Sequence, residues 1–116
     1  MQIHHDPPNH RIARITSAGD QLLCLTLGPG PLTISAQHLP GDSPSQRARN
    51  EARAEAVKAA VLAGLAALAT TTGRRFALTA IGYHQSNPAA SPDIFEMMTI
   101  ALLQDWLRQE AAPAEK

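Results

Sequence analysis

Hydrophobic positions alternate with polar ones along the first third of the chain. Three such runs lie at residues 10–16, 21–27 and 32–38. The first two flank the turn signal Ser17-Ala18-Gly19-Asp20, and Gly28-Pro29-Gly30-Pro31 separates the second from the third. Period-two runs bounded by glycine and proline are typical of β-strands. We therefore expect a three-stranded antiparallel meander.

The middle of the chain predicts one long helix, from Ser43 to about residue 71. Ser43 and Pro44 fit an N-cap and a first helical position, and Gly73 fits a C-terminal stop. No charged residue occurs between residues 59 and 72. One apolar stripe of this helix consists of Val57, Val61, Leu65 and Leu68, and alanines fall on the opposite side. A helix that is apolar all round is buried on more than one side.

The last third of the chain adds one strand and one helix. The nearly continuous apolar run at residues 76–84 predicts a strand that is covered on both faces. A helix is predicted over residues 91–110, with a stripe formed by Phe95, Met98, Leu102 and Trp106. The element order is β-β-β-α-β-α. We expect an α+β fold in which two helices pack on one mixed four-stranded sheet.

Length and composition restrict the class of protein. The 116 residues suit one domain, which we place at residues 10–110, with a flexible arm at 1–9 and a flexible tail at 111–116. Ten basic residues balance ten acidic ones, so no overall field attracts nucleic acid or membranes. Cys24 is the only cysteine, which excludes an internal disulfide and a cysteine-rich zinc site.

The sequence shows neither a clear signal peptide nor a clear membrane span. The N-terminus lacks the apolar core of a signal peptide. The apolar stretch at residues 59–69 is shorter than the roughly 20 residues that cross a bilayer. We therefore expect a soluble, cytoplasmic protein.

Polar residues follow the last predicted strand without a break, at Tyr83-His84-Gln85-Ser86-Asn87. A histidine suits general acid–base chemistry near neutral pH. A small enzyme or ligand-binding protein with a site at Tyr83, His84 and Asn87 is therefore one alternative function. Neighbours on a regular strand face opposite ways, however. We expect a strand that leaves the core and no catalytic residues.

The N-terminal segment contains four potential metal ligands, namely His4, His5, Asp6 and His10. Imidazole and carboxylate groups bind zinc or nickel. His4 and His5 are adjacent, and Pro7-Pro8 stiffens the chain before His10, so the spacing matches no ordered site. We expect neither a physiological metal site nor a cofactor.

Five arginines lie near the two ends of the long predicted helix: Arg47, Arg49, Arg53, Arg74 and Arg75. Basic clusters contact phosphate groups. A nucleic-acid-binding regulator that uses Arg47, Arg49 and Arg53 is therefore a second alternative function. Glu51 and Glu55 interrupt the cluster, which favours an ordinary solvated helix end.

The two predicted helices carry more apolar surface than a small sheet can cover. On the long helix the surplus side consists of Ala59, Ala63, Ala66 and Ala67. Either a second copy of the chain covers this surface or the two helices pack together, and the sequence leaves both options open. The first option predicts a homodimer with these four alanines as its contact surface.

These features favour a small non-enzymatic interaction protein, such as a regulator, adaptor or inhibitor, that binds another macromolecule as a homodimer. Another protein is the expected partner, nucleic acid is the second choice, and no membrane is expected. The composition, rich in alanine and arginine, is typical of a high-GC bacterium or its phage. Candidate contact residues are the five arginines together with Tyr83, His84 and Asn87.

Overall fold

A computed structural model describes residues 1–16, 19–86 and 91–111. These residues form an α+β fold with a mixed five-stranded sheet and three helices. The strands are β1 (Gln2–Asp6), β2 (Asn9–Thr16), β3 (Gly19–Leu27), β4 (Thr33–Ala36) and β5 (Leu78–Gln85). The helices are α1 (Pro44–Ala52), α2 (Ala54–Thr72) and α3 (Ile94–Ala111).

The sheet has the strand order β1-β2-β3-β5-β4. The first three strands form an antiparallel meander, β5 pairs antiparallel with β3, and β4 pairs parallel with β5. The predicted α+β class is confirmed, and the strands predicted at residues 10–16 and 21–27 pair antiparallel as expected. The strand predicted at residues 32–38 does not complete their meander, because β4 lies at the far edge of the sheet beside β5. A parallel pair needs a crossover connection, and α1 and α2 supply it.

The flexible arm predicted for residues 1–9 is instead the first hairpin of the sheet. Ile3 lies opposite Ile12 and His5 lies opposite His10, across a two-residue turn. Strand β1 carries only one aliphatic residue, so its hydrophobic pattern is too weak to reveal a strand. The sheet therefore has five strands where the sequence predicted four.

All three helices cover the same face of the sheet. The strands contribute to this core Ile12, Leu23, Leu25, Ile81 and Tyr83, and the helices contribute Val57, Val61, Leu68, Phe95, Met98, Leu102 and Leu103. The loop at residues 37–43 crosses part of the opposite face, where the amide of Gln37 lies against Gly82. The part of that face formed by β1, β2 and β3 is otherwise open within the described residues.

The long helix predicted from Ser43 is divided at Arg53 into α1 and α2. Its start is confirmed, since Ser43 and Gln46 form a reciprocal capping box. Its end is confirmed as well, since Gly73 adopts the left-handed conformation with φ of 74°. The break arises where the carbonyl oxygen of Asn50 accepts hydrogen bonds from the Arg53 N–H and the Tyr83 hydroxyl. A contact from the sheet therefore occupies a carbonyl that an uninterrupted helix uses internally.

Helix α3 follows its prediction closely in the structure. Phe95, Met98 and Leu102 are fully buried, and Trp106 is half-buried. Ala111 ends the helix, and residues 112–116 of the predicted tail lie outside the described part of the chain.

Helices α2 and α3 pack closely because Gly64 lies at their contact. A Cβ atom at this position would lie 2.9 Å from the carbonyl oxygen of Glu96 and 3.0 Å from Cβ of Thr99. Thr99 is itself fully buried, and its hydroxyl donates to the carbonyl oxygen of Phe95. The two helices therefore cover part of each other's apolar surface, as one of the two predicted options requires.

The variant Gly64→Ala should destabilise the fold by about 1–3 kcal/mol, because the added methyl group has no room. In an open helical position the same change would add about 1 kcal/mol of stability. Urea unfolding followed by circular dichroism measures the difference. A variant more stable than the parent would contradict the close packing of α2 on α3.

Candidate interaction surfaces and the end of strand β5

Strand β5 places Tyr83 inside the core, on the face that the helices cover. Its ring packs against Phe95 with the ring centres 6.0 Å apart, and its hydroxyl donates to the Asn50 carbonyl oxygen. Burial raises the pKa of Tyr83, with a smaller contribution from the nearby Glu51 carboxylate. Tyr83 was a candidate contact residue, and the structure corrects this, because a side chain with no exposed area cannot touch a partner.

A buried polar network follows Tyr83 at the end of β5. The backbone N–H of Gln85 donates to Asn50 Oδ1 at 3.2 Å, and Arg53 Nη1 donates to Gln85 Oε1 at 3.1 Å. Arg49 lines a shallow depression beside this network, together with Ser86. The structure thus brings two predicted arginines to the polar end of β5, a proximity that their spacing in the sequence does not reveal.

The His84 side chain projects from the opposite face of β5 and is hydrogen-bonded to a loop. Its Nε2 lies 3.2 Å from Oδ2 of Asp42, and the two side chains are only 4% and 10% exposed. The same carboxylate oxygen accepts the backbone N–H of Leu39 at 2.9 Å. The Leu39 hydrogen bond, and then the charge of His84, hold the pKa of Asp42 below its usual value. His84 therefore fastens the loop at residues 37–43 to the sheet, and this corrects its assignment as a candidate contact residue for a partner.

The two groups proposed for an enzymatic site do not face one space. Tyr83 pairs with Leu23 and points to the helices, whereas His84 pairs with Leu22 and points to the other face. The expected alternation along this strand is confirmed. Asn87, the third residue of that alternative site, lies outside the described residues.

The five candidate arginines do not form one basic patch. Arg47 and Arg49 are exposed on α1, and Arg53 is half-buried at its end. Arg74 and Arg75 lie beyond the other end of α2, whose 19 residues correspond to a helix of about 28 Å. Arg74 pairs with Glu110 at 3.4 Å and lies over the Phe76 ring. The charge that would contact a nucleic acid is therefore divided between two ends of the molecule.

The outer face of α2 is apolar and exposed. Ala59, Ala63 and Ala66 lie in solvent, and Ala67 is half-buried. Leu62 belongs to the same face and is 42% exposed, although it was not among the residues predicted. Its position three residues after Ala59 was the available signal. We call Ala59, Leu62, Ala63 and Ala66 the outer face of α2.

Helix α2 also has the length and composition of a membrane span, with 19 residues and a mean hydropathy of 1.4. The apolar segment that the sequence indicates at residues 59–69 is therefore shorter than the apolar helix in the structure. Core positions on this helix are Val57, Ala60, Val61, Gly64 and Leu68, although only 28% of the apolar window is buried. One such helix is only weak evidence for a membrane span, and the compact fold suggests a soluble protein.

The open face of the sheet carries two adjoining depressions of about 410 and 350 Å³, which share His4 and Arg11. Leu22 and Cys24 are half-buried at its centre. Burial raises the pKa of the Cys24 thiol, and the charge of Arg11 opposes this only in part. The thiol is therefore protonated at neutral pH and is a poor nucleophile.

Strand alternation separates the four potential metal ligands of the N-terminal segment. His5 and His10 point toward α3, whereas His4 and Asp6 lie on the open face. Among residues 1–16, 19–86 and 91–111, no three metal-ligating side chains lie together in a group that could hold an ion.

Comparisons with protein-family models, with curated proteins and with solved structures found no match to this chain.

The variant Tyr83→Phe should lose about 1 kcal/mol of stability, because it removes the hydroxyl that bonds Asn50.

The variant His84→Ala should lose more stability than the roughly 0.5 kcal/mol typical of a surface substitution, because Asp42 loses a hydrogen-bonding partner. His84→Gln retains a donor and is the matched control. Urea unfolding measures all three variants. If His84→Ala has the same urea midpoint of unfolding as the parent protein, the loop at residues 37–43 does not depend on the pair of His84 and Asp42.

The divided arginines should bind nucleic acid weakly. We expect no mobility shift of a 30-base-pair DNA or a single-stranded RNA at physiological salt, because few phosphates can be contacted at once. A shift that persists there, and that is lost in the Arg47→Ala, Arg49→Ala, Arg53→Ala triple variant, would contradict this prediction. The Arg74→Ala, Arg75→Ala variant controls for a general loss of positive charge.

Proposed function

We propose that this chain is a small non-enzymatic interaction protein that forms a homodimer and binds another protein. The observation that supports it is the outer face of α2. This face lies in a segment without charge from residue 59 to 72, and it exposes Leu62 to solvent. Contiguous apolar surface of this kind marks interaction sites on soluble proteins.

The outer face of α2 suits contact with a second copy of itself. Ala59, Ala63 and Ala66 are small and lie along one side of the helix, so two such helices can approach closely. A two-fold axis places the same residues on both copies. No charge would be buried without a partner, since this segment has none. The packing of α2 on α3 uses the opposite side of α2 and leaves this face available.

A dimer formed through α2 would leave the open face of each sheet free for the partner protein. Because α2 lies on the other side of the sheet, the open faces would point away from the contact. Leu22 and Cys24 offer apolar area there, and Arg11 has no carboxylate within salt-bridge distance among the described residues. A partner segment with an apolar side chain beside a carboxylate would fit this surface.

The positions of Tyr83 and His84 favour binding over catalysis. They lie on opposite faces of β5, and each is bonded to a structural partner. A regulator, adaptor or inhibitor in the cytoplasm of a high-GC bacterium, or encoded by its phage, remains the role that we propose.

Light scattering after size exclusion should give about twice the 12.4 kDa mass of the chain. Ala63→Glu should give a monomer, because an unpaired charge would be buried in the contact. Since Ala63 is exposed in the single chain, this monomer should keep the parent circular dichroism spectrum. Ala48→Glu, an exposed alanine of α1, is the matched control and should remain dimeric. A parent protein that stays monomeric at high concentration would overturn the dimer.

A further inference from the structure

Four side chains meet where the β1–β2 hairpin packs on α3: His5, His10, Asp105 and Trp106. We call them the histidine cluster. Nδ1 of His5 lies 2.8 Å from Nδ1 of His10, and Nε2 of His5 lies 2.8 Å from Oδ2 of Asp105. The Trp106 ring centre lies 5.1 Å from that of His5 and 4.9 Å from that of His10. The His5 side chain is 5% exposed, and His10 is 2% exposed.

The hydrogen-bond pattern limits how many protons the cluster can hold. A carboxylate only accepts, so Nε2 of His5 must carry the proton of its bond to Asp105. With that proton at Nε2, a neutral His5 has a lone pair at Nδ1 and accepts from the Nδ1–H group of His10. This bond reverses its direction only when His5 is doubly protonated. If both rings are protonated, two N–H groups and two positive charges face each other across 2.8 Å. The contact cannot survive that state.

The geometry of the histidine cluster suits a shared proton and does not suit a metal ion. Asp105 lies at the far nitrogen of His5 from His10, so a metal ion between the two rings would have only two protein ligands. Asp105 is also engaged by Arg108 at 3.4 Å and by Gln109 at 3.0 Å. Zinc sites in proteins use three or four protein ligands.

We propose that the histidine cluster is a proton-operated latch, which holds the β1–β2 hairpin on α3 at neutral pH and releases it when both rings are protonated. The latch is independent of the dimer and of the partner proposed above. It would give this protein a conformational response to mild acidification.

The charges around the cluster fix the direction of the response. Two acidic side chains of α3 face it, Asp105 with its partner Arg108, and Glu110, which pairs with Arg74 at 3.4 Å. Burial and the neighbouring His5 lower the pKa of His10, and Glu110 opposes this only in part. The bond from His5 keeps the pKa of Asp105 below its usual value, so Asp105 stays charged above about pH 4.

The sign of the pH dependence follows from this lowered pKa of His10. A released or unfolded His10 binds its proton near pH 6.5, before the latched form does. The latched state is therefore most favoured above that pH. As the pH falls below about 6.5, the equilibrium constant for the latched state should decrease by up to tenfold per pH unit.

Trp106 reports on the latch directly, because it is the only tryptophan of the chain. Emission and quenching by acrylamide are measured from pH 8 to pH 5 at a temperature well below the melting transition. We expect acrylamide quenching to increase at least twofold, with a midpoint below pH 6.5 and with most of the circular dichroism retained. Unchanged quenching down to pH 5, or loss of circular dichroism in step with it, would overturn the latch.

Two variants test whether the change in acrylamide quenching with pH arises from the histidine cluster. His10→Asn places an amide donor near the Nδ1 position without a titrating group, and it should abolish the transition. His4→Asn makes the same change one residue before His5, on the open face, and it should leave the transition intact. If His10→Asn does not fold, His5→Gln keeps a donor for Asp105 and serves instead. A transition that persists in the folded variant would overturn the proposal.

A zinc titration tests the alternative that the histidine cluster binds a metal ion. One equivalent of zinc at pH 7.5 should leave both the Trp106 emission and the melting temperature unchanged. A zinc-dependent change that a chelator reverses, and that is lost in His10→Asn, would show a metal site and would replace the latch.

Discussion

The alternation of side chains along β5 is the constraint on which most of this structure depends. This strand pairs on both of its edges, antiparallel with β3 and parallel with β4, so its register is held from two sides. One of its faces carries Tyr83 and Gln85 to the helices, and the other carries His84 to the loop at residues 37–43. A shift of one residue would exchange these faces and leave several buried polar groups without partners.

The break between α1 and α2 follows from the same strand. The Tyr83 hydroxyl occupies the Asn50 carbonyl oxygen, and Gln85 engages both Asn50 and Arg53. These bonds join the sheet to the helical layer at the boundary between α1 and α2. They also explain why polar residues at the end of an apolar strand are buried here and do not form an exposed site.

Apolar surface on α2 is divided between two uses. The side that contains Gly64 is buried on α3, where the missing side chain permits a contact that even a methyl group would prevent. The side that contains Leu62 stays in solvent. Packing between the two helices therefore accounts for only part of the apolar surplus that the sequence indicates, and the remainder stays exposed on the outer face of α2.

The sequence by itself determined the class of fold, the ends of the helical region and the apolar stripe of each helix. Capping at Ser43 and Gly73 and the stripe that begins at Phe95 are local properties, set by residues within a few positions of one another. Tertiary structure alone decided that β1 joins the sheet, that β5 lies between β3 and β4, and that His5, His10 and Asp105 meet. Helix α3 supplies a carboxylate and an indole for His5 of the polar strand β1, and that carboxylate lies 100 residues away in the chain. Periodicity shows which side of an element is apolar, whereas the choice of neighbours depends on the free energy of the assembled core.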